Sequence, residues 1–371
     1  MRWRFSISYL ARGEQTSLVS RYFLVAYHLV VLVVSLYPFS GWRFTGEPVL
    51  AFLAYPLPFY QTLADNALNV LAYMPIGYAW VMLLRARWYS LALAVVAGAM
   101  LSGSIEFAQQ FLPSRIASNL DMLTNTAGTF LGGLAAYWMH RAQWVRHWQI
   151  LRQQWFVAGG LADLGIVLFA LWFLTQLDPS VPILGIVVQP AGLPQPFVSP
   201  LHDPEIFLRL LEAGGVTLNL VGVSLFGLVL VRPRRHPWAT VLGLLLGSLT
   251  IKVAAAGLML KPGEFMAWLN LNVVTGALLG LLILVPLTRL RRNWRALVAA
   301  LSLAAAQMVA AIWPLTEVLS ATLKLFRWNY GHLLHLSGLT QMVSEWWPYA
   351  AVCFLLSFAV SEWRRKEVIL D

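Results

Sequence analysis

The sequence predicts an all-α fold: a polytopic bundle of about ten transmembrane helices. Three observations carry that prediction. Hydrophobic residues make up 59% of the 371-residue chain and charged residues only 11%, less than half the ~25% usual in soluble domains. Apolar runs long enough to cross a bilayer recur from end to end, giving a mean hydropathy of +0.68. Cations gather in alternate connecting segments, the pattern that membrane insertion imposes. Short alternating segments of the outer-membrane barrel type are absent. The lone Cys353 lies in an apolar run, so the chain can form no intrachain disulfide.

Spans are expected at 21–39, 63–84, 89–112, 121–140, 156–176, 206–231, 238–260, 265–288, 296–316 and 346–362. The first follows Arg2, Arg4, Arg12 and Arg21 and ends near Pro38. A signal peptide is the competing reading, but the stretch is long, no A-x-A-like site follows, and removal would upset the charge alternation. The second span opens on Asp65 and Asn69 and leads to Arg85 and Arg87. Polar Glu106, Gln109 and Gln110 close the third, before Pro113. Asp121, Asn125, Gly128 and Gly132 repeat at helical spacing along the fourth. Next comes "RAQWVRHWQILRQQW", with Arg141, Arg146 and Arg152, a basic and Trp-rich connector suited to anionic headgroups.

After the fifth span, residues 177–205 form a Pro-rich loop without Lys or Arg. The sixth span leads to Arg232, Arg234 and Arg235, and the seventh holds Lys252 within it. That cation is expected to snorkel, or to pair with Glu264 or Glu106. The eighth span leads to Arg289, Arg291, Arg292 and Arg295. Between the ninth and tenth, "FRWNYGHLLHLSGLTQMVSEWW" (326–347) reads as an outer, interfacial segment. It carries His332 and His335 with Gln341 and Glu345 beyond, and two histidines alone do not make a metal site. Arg364, Arg365 and Lys366 follow the tenth span.

The opposite loops hold only Arg43, Arg115, Lys261, Lys324 and Arg327, with Arg209 at a span's edge. The asymmetry predicts a multi-pass protein of the cytoplasmic (inner) membrane with both termini in the cytoplasm. It also accounts for the net charge of +10 without nucleic acid, for which no soluble basic module exists.

An internal repeat is expected. Asn69 and Gly77 recur as Asn219 and Gly227, and "SIE" around Glu106 faces "TIK" around Lys252. "NTAGTFLGGL" from Asn125 resembles "NVVTGALLGLL" from Asn272, and Pro38 finds a counterpart in Pro179. This organises the chain as a first unit (1–140), a basic connector (141–155), a second unit (156–288) and a C-terminal part (289–371) with two further helices. The two units would be parallel copies about an axis along the membrane normal. The second would lack the chemistry of the first, since Glu106 becomes Lys252 and Asp121 aligns with Trp268.

Asp65, Asn69, Glu106, Gln109, Gln110, Arg115, Asp121 and Asn125 are the candidate ligand-binding residues, gathered at one depth beneath the outer surface. An acidic group in the bilayer costs a few kcal/mol and marks a functional site by default. With Glu106 expected about 10 Å below the end of its span, Arg115 could reach back as its ion pair. A protonated Glu106 could instead donate to Gln109 or Asn125. Structural glue, with Gly128 and Gly132 packing two helices, is the competing reading. No His lies in these spans, so no metal is expected, and nucleotide and nucleophile motifs are absent, so no cofactor is. Catalytic residues are unassigned.

Asn69, "MPIG" with Pro75 and Gly77, "SIEFAQ", "LPSR", Asp121, Asn125, Gly128 and Gly132 resemble the VanZ-like family over roughly residues 20 to 140. The family pattern places an Asn and a Pro-x-Gly in one helix and E-x-x-Q in the next, then an Arg, an Asp and N-x-x-G. The resemblance therefore carries Glu106, Gln109, Arg115, Asp121 and Asn125 across as family positions. It implies a cell-envelope role, the family being named for a membrane protein that raises resistance to teicoplanin. The expected partners are the lipid bilayer and a glycan or lipid-linked ligand on the extracytoplasmic side. Two other classes stand beside this one: a transporter or flippase, suggested by the repeat, and a structural partner in an envelope assembly.

Overall fold

Eleven α-helices organise the described residues. The structure, a computed structural model, describes residues 18–44, 46, 48–57, 63–141, 144–179, 181, 183–184, 200–232, 236–313, 325–327 and 332–370. Arg2, Arg4, Arg12, Arg234, Arg235, Lys324 and the stretch 185–199 of the Pro-rich loop lie outside the described residues. So do the side chains of Arg146, His332, His335, Gln341, Arg365 and Lys366.

In chain order the helices are α1 (Val19–Leu36), α2 (Leu63–Leu83), α3 (Ser90–Gln109) and α4 (Asn119–Arg141). Then come α5 (Trp144–Trp155), α6 (Gly160–Trp172), α7 (Pro204–Leu230) and α8 (Pro237–Met259). The chain ends with α9 (Leu271–Leu287), α10 (Arg292–Ile312) and α11 (His332–Leu370). Each expected span falls on a helix. Among the described residues seven segments are long and apolar enough to cross a membrane: α1, α3, α6 with its 3-10 extension to Leu177, α7, α8, α10 and residues 342–364 of α11. Of the rest, α9 is short at 17 residues, while α2 and α4 carry the polar residues of the candidate site. The protein is an all-helical membrane bundle.

Local chemistry sets the helix starts. Asp203 caps α7 by accepting from Glu205 N (2.9 Å), with Pro204 behind it. Asn270 caps α9 by accepting from Val273 N at 2.9 Å. The expected interfacial segment before the tenth span is instead one helix with that span: α11 runs unbroken from His332, through Pro348, to Leu370. Neighbouring helices tolerate a proline in such a membrane helix.

Helices α1–α4 form one bundle, in which α2 and α4 approach backbone to backbone. A Cβ on Gly132 would overlap the Met74 carbonyl, one on Gly128 the Val70 carbonyl, and one on Gly77 the Thr129 carbonyl. This is small-residue packing, which lets helices meet without the hydrophobic effect that bilayer lipids abolish. Residues 156–288 show a partly similar arrangement, with Gly276 against Ala213 and Gly280 against Leu220, and α9 lies on α7 as α4 lies on α2. The rest differs. Whereas α3 packs on α4, α8 packs on α7 and hardly meets α9, leaving an apolar groove lined by Val241, Leu245, Leu278 and Leu282.

The main core lies among α6, α7, α10 and α11, where Phe226 packs on Phe169, Trp347 and Phe354. α1 joins this core to the first bundle, touching α2 and α3 on one side and α6 and α11 on the other. At its start, the Leu18 N–H donates to the buried Asp163 carboxylate at 2.7 Å, which also pairs with Arg152 of α5. α5 itself shows Trp144, Trp148, Ile150 and Leu151 to the outside.

Candidate functional site

The site is built in tiers, because three helices offer residues at matching four-residue steps. Counting tiers from outer to inner, starting at the end of the bundle that holds the α3–α4 turn, α2 presents Asn69, Tyr73 and Gly77. The antiparallel α3 presents Glu106, Ser102 and Gly98, and α4 presents Asp121, Asn125 and Thr129. Residues four apart share a helix face, so three aligned helices make three tiers.

The outer tier is acidic. Asn69 Nδ2 donates to Asp121 Oδ1 at 2.9 Å, joining α2 to α4. Glu106, 2% exposed, accepts the Ser118 backbone N–H through Oε2 at 2.8 Å. Ser118 precedes α4, and its hydroxyl accepts from Asp121 N at 3.3 Å. In an ordinary capping box the acid three residues on would return a bond to the Ser118 N–H. Here Glu106 makes that bond from the neighbouring helix, which leaves Asp121 for Asn69.

The middle tier is neutral and polar. Asn125 Nδ2 donates to Ser102 Oγ at 2.9 Å, and the buried Tyr73 hydroxyl lies beside Ser102 without a hydrogen bond of ordinary geometry. The inner tier is closed. A Cβ on Gly98 would overlap the Thr129 side chain, and one on Gly77 the Thr129 backbone. Below it Val81, Ala94 and Ala136 form a buried apolar cluster.

Thus Asn69, Glu106, Asp121 and Asn125 are brought together, with Asp65 one turn outward of Asn69. The other candidates face elsewhere. Gln109 Nε2 donates to Ser35 O at 2.9 Å, and Arg115 Nη2 to Val34 O (2.5 Å) and Tyr37 O (3.2 Å). These two residues satisfy the carbonyls that end α1, which no further helical turn can serve. The expected Glu106–Arg115 ion pair does not form, and Glu106 does not donate to Gln109 or Asn125, because main-chain groups claim both partners. Burial pulls the Arg115 pKa below its ordinary value while Glu106 nearby pulls it back up. A guanidinium keeps its proton in proteins regardless. Gln110 Oε1 accepts from Leu50 N at 3.0 Å, and Asn119 Nδ2 donates to Tyr55 O at 2.7 Å, tying the α1–α2 connection across this end.

Glu106 also lies nearer the end of its helix than expected. α3 ends at Gln109, so Glu106 is about 4.5 Å from the helix end along the axis. Sequence reading missed Ser102, Tyr73 and Ser118. Each had a signal, since the first two lie one turn inward of Glu106 and Asn69, and Ser118 heads S-x-x-D.

Residues 156–288 hold polar groups of a different kind. Glu212 of α7 accepts from Asn270 Nδ2 (2.6 Å) and Asn272 Nδ2 (2.8 Å). Lys252, fully buried, donates to Asp178 O at 2.6 Å and Val181 O at 3.1 Å. It neither snorkels nor pairs with Glu264 or Glu106. Inward of these, Val216, Leu220, Leu244 and Val273 fill the space with hydrocarbon. Among the described residues no group of His, Cys, Asp and Glu could hold a metal ion.

Residues 8–140 match the family model described as VanZ/LLP1. The match takes in α1, α2, α3 and nearly all of α4, with every residue of the three tiers. No curated protein and no solved structure matches the chain.

Proposed function

We propose that this chain, whose N-terminal unit is a VanZ-like domain, serves the cell envelope by engaging a polar glycan or lipid-linked ligand from the extracytoplasmic side. One observation carries the reading: the tiers are acidic at one end of the bundle, polar in the middle and closed below by Gly77, Gly98 and Thr129. A ligand reaches such a site from one side only. Asp65, Asn69 and Asp121, half-buried at the rim, would meet it first. Glu106 would act as the central acceptor, with Asn125 behind it. A transporter needs a path through both leaflets, and the closed inner tier argues against one in this bundle.

We read the second unit as a degenerate copy with a scaffolding role. Arg115 holds two carbonyls three residues apart, Val34 and Tyr37, at the end of α1. Lys252 holds two carbonyls with the same separation, Asp178 and Val181, after α6. The packing of Gly276 on Ala213, like that of Gly128 on Val70, supports Glu212 rather than Asn219 as the counterpart of Asn69. Structural glue is the second reading of the tiers, and the Glu106–Ser118 bond favours it because that bond caps α4.

The test is teicoplanin susceptibility of a sensitive host carrying the wild-type chain, the Asn69→Leu variant or neither, at equal membrane abundance. The envelope reading predicts raised tolerance with the wild type and its loss with Asn69→Leu. Equal tolerance with both proteins would favour the structural reading, and none with either would remove the glycopeptide link.

A further inference from the structure

Donors and acceptors at the site are unevenly committed. The amide of Asn69 is given to Asp121 and that of Asn125 to Ser102. Arg115 and Gln109 serve the end of α1. Gln110 Nε2 donates to Phe107 O and Asn119 Nδ2 to Tyr55 O. Left over, beside the Tyr73 hydroxyl, which can donate or accept, are acceptors. Asn125 is 6% exposed, yet its Oδ1 is buried without a hydrogen-bond partner. Asn66 Oδ1, three residues outward of Asn69 on α2, is also buried and unpartnered. Glu106 receives a single N–H, from Ser118, for its two carboxylate oxygens. A buried acceptor without a donor costs as much as a lost hydrogen bond, so spare acceptors on a binding surface define what the ligand must bring.

Resting on the reading of these tiers as the working site, we propose that the site recognises its ligand through the ligand's own hydrogen-bond donors, the hydroxyl groups or protonated amine of a glycan head. Phosphate or carboxylate heads are rejected. An anionic head would bring further acceptors to a surface already rich in them, beside Asp65, Glu106 and Asp121. The nearby guanidinium is turned to the carbonyls of α1. Such mismatch discriminates strongly, because the wrong ligand leaves groups on both sides unpaired. Within a lipid-linked glycan, the sugar rather than the phosphate is therefore the part read here.

The experiment is native mass spectrometry of the full chain in detergent with three lipids of identical acyl chains. Diglucosyl diacylglycerol offers hydroxyls, glucosaminyl diacylglycerol adds an ammonium, and phosphatidic acid offers an anion. The wild type is expected to retain either glycolipid about tenfold better than phosphatidic acid, a difference of one order in affinity. Asn125→Leu and the rim variant Asn66→Leu should each erode that preference, so a folding defect in one leaves the other to report. Gln109→Leu, whose amide serves the end of α1, should keep it. A glucosaminyl preference over diglucosyl would assign the ammonium, and equal retention the hydroxyls. Phosphatidic acid held as well as the glycolipids, with loss in Glu106→Gln, would keep the site, turn the Asn125 amide around and overturn donor recognition. If Glu106→Gln and Asn125→Leu change the retention of no lipid, the site reading itself fails and the inference falls with it.

Discussion

At the scale of single residues, the polar groups divide into those that hold the fold and those that face the site. Arg115 and Gln109 belong to the first set, since they terminate α1. Arg115→Met would strip two carbonyls of their donor at about 1–3 kcal/mol in all. It should lower the thermal midpoint of the purified protein while leaving glycolipid retention unchanged; equal loss of both would place Arg115 at the ligand. Ser118→Ala removes the α4 cap and should cost about 1 kcal/mol, read from the same melting curve. The sequence made the importance of Arg115 legible but not its target, because main-chain carbonyls carry no side-chain signature. It showed Glu106 as a buried acid in need of a partner, and the partner is again backbone, the Ser118 N–H.

At the scale of elements, the glycines of α2 and α4 decide the architecture. Gly132→Val would drive two methyl groups into the Met74 backbone, and overpacking of that kind costs 1–3 kcal/mol or more. The expected outcome is loss of monodisperse protein on size-exclusion chromatography. Gly243→Ala in α8 has open space around the new Cβ and should elute as wild type; a loss there would contradict the packing described. The small-residue stripe of α4 was readable from spacing alone, and so were the helix positions. Two features were not. The parting of α8 from α9 depends on contacts with α7 and the 3-10 turn after α6. The unbroken α11 reflects tertiary support for Pro348, which a rule based on local polarity misses.

At the scale of the whole molecule, the charge asymmetry between loops and the tiered site make one joint claim about orientation. In a Cys353→Ser background, Ile116→Cys beside the site should react with a membrane-impermeant maleimide in intact cells. Trp88→Cys, among the arginines, should react only after permeabilisation. Both positions are exposed, at 72% and 88%, so the reverse result would invert the topology rather than report burial. Lys252→Met strips two buried carbonyls in the second unit. It should lower stability and leave ligand handling intact, as a scaffolding unit requires. How the units meet, with α1 between both cores and Asp163 gripping its start, was beyond sequence because it depends on contacts between distant segments. The most direct test of the central claim is to separate folding from function at Glu106. Glu106→Gln, nearly the same in shape, keeps an oxygen for the Ser118 N–H and removes the acid. The account predicts a thermal midpoint within a few degrees of wild type, a change worth about 1 kcal/mol or less, together with loss of both teicoplanin tolerance and glycolipid retention. A variant that melts much earlier, yet protects and binds fully in proportion to the folded protein present, would contradict it and leave Glu106 as a cap.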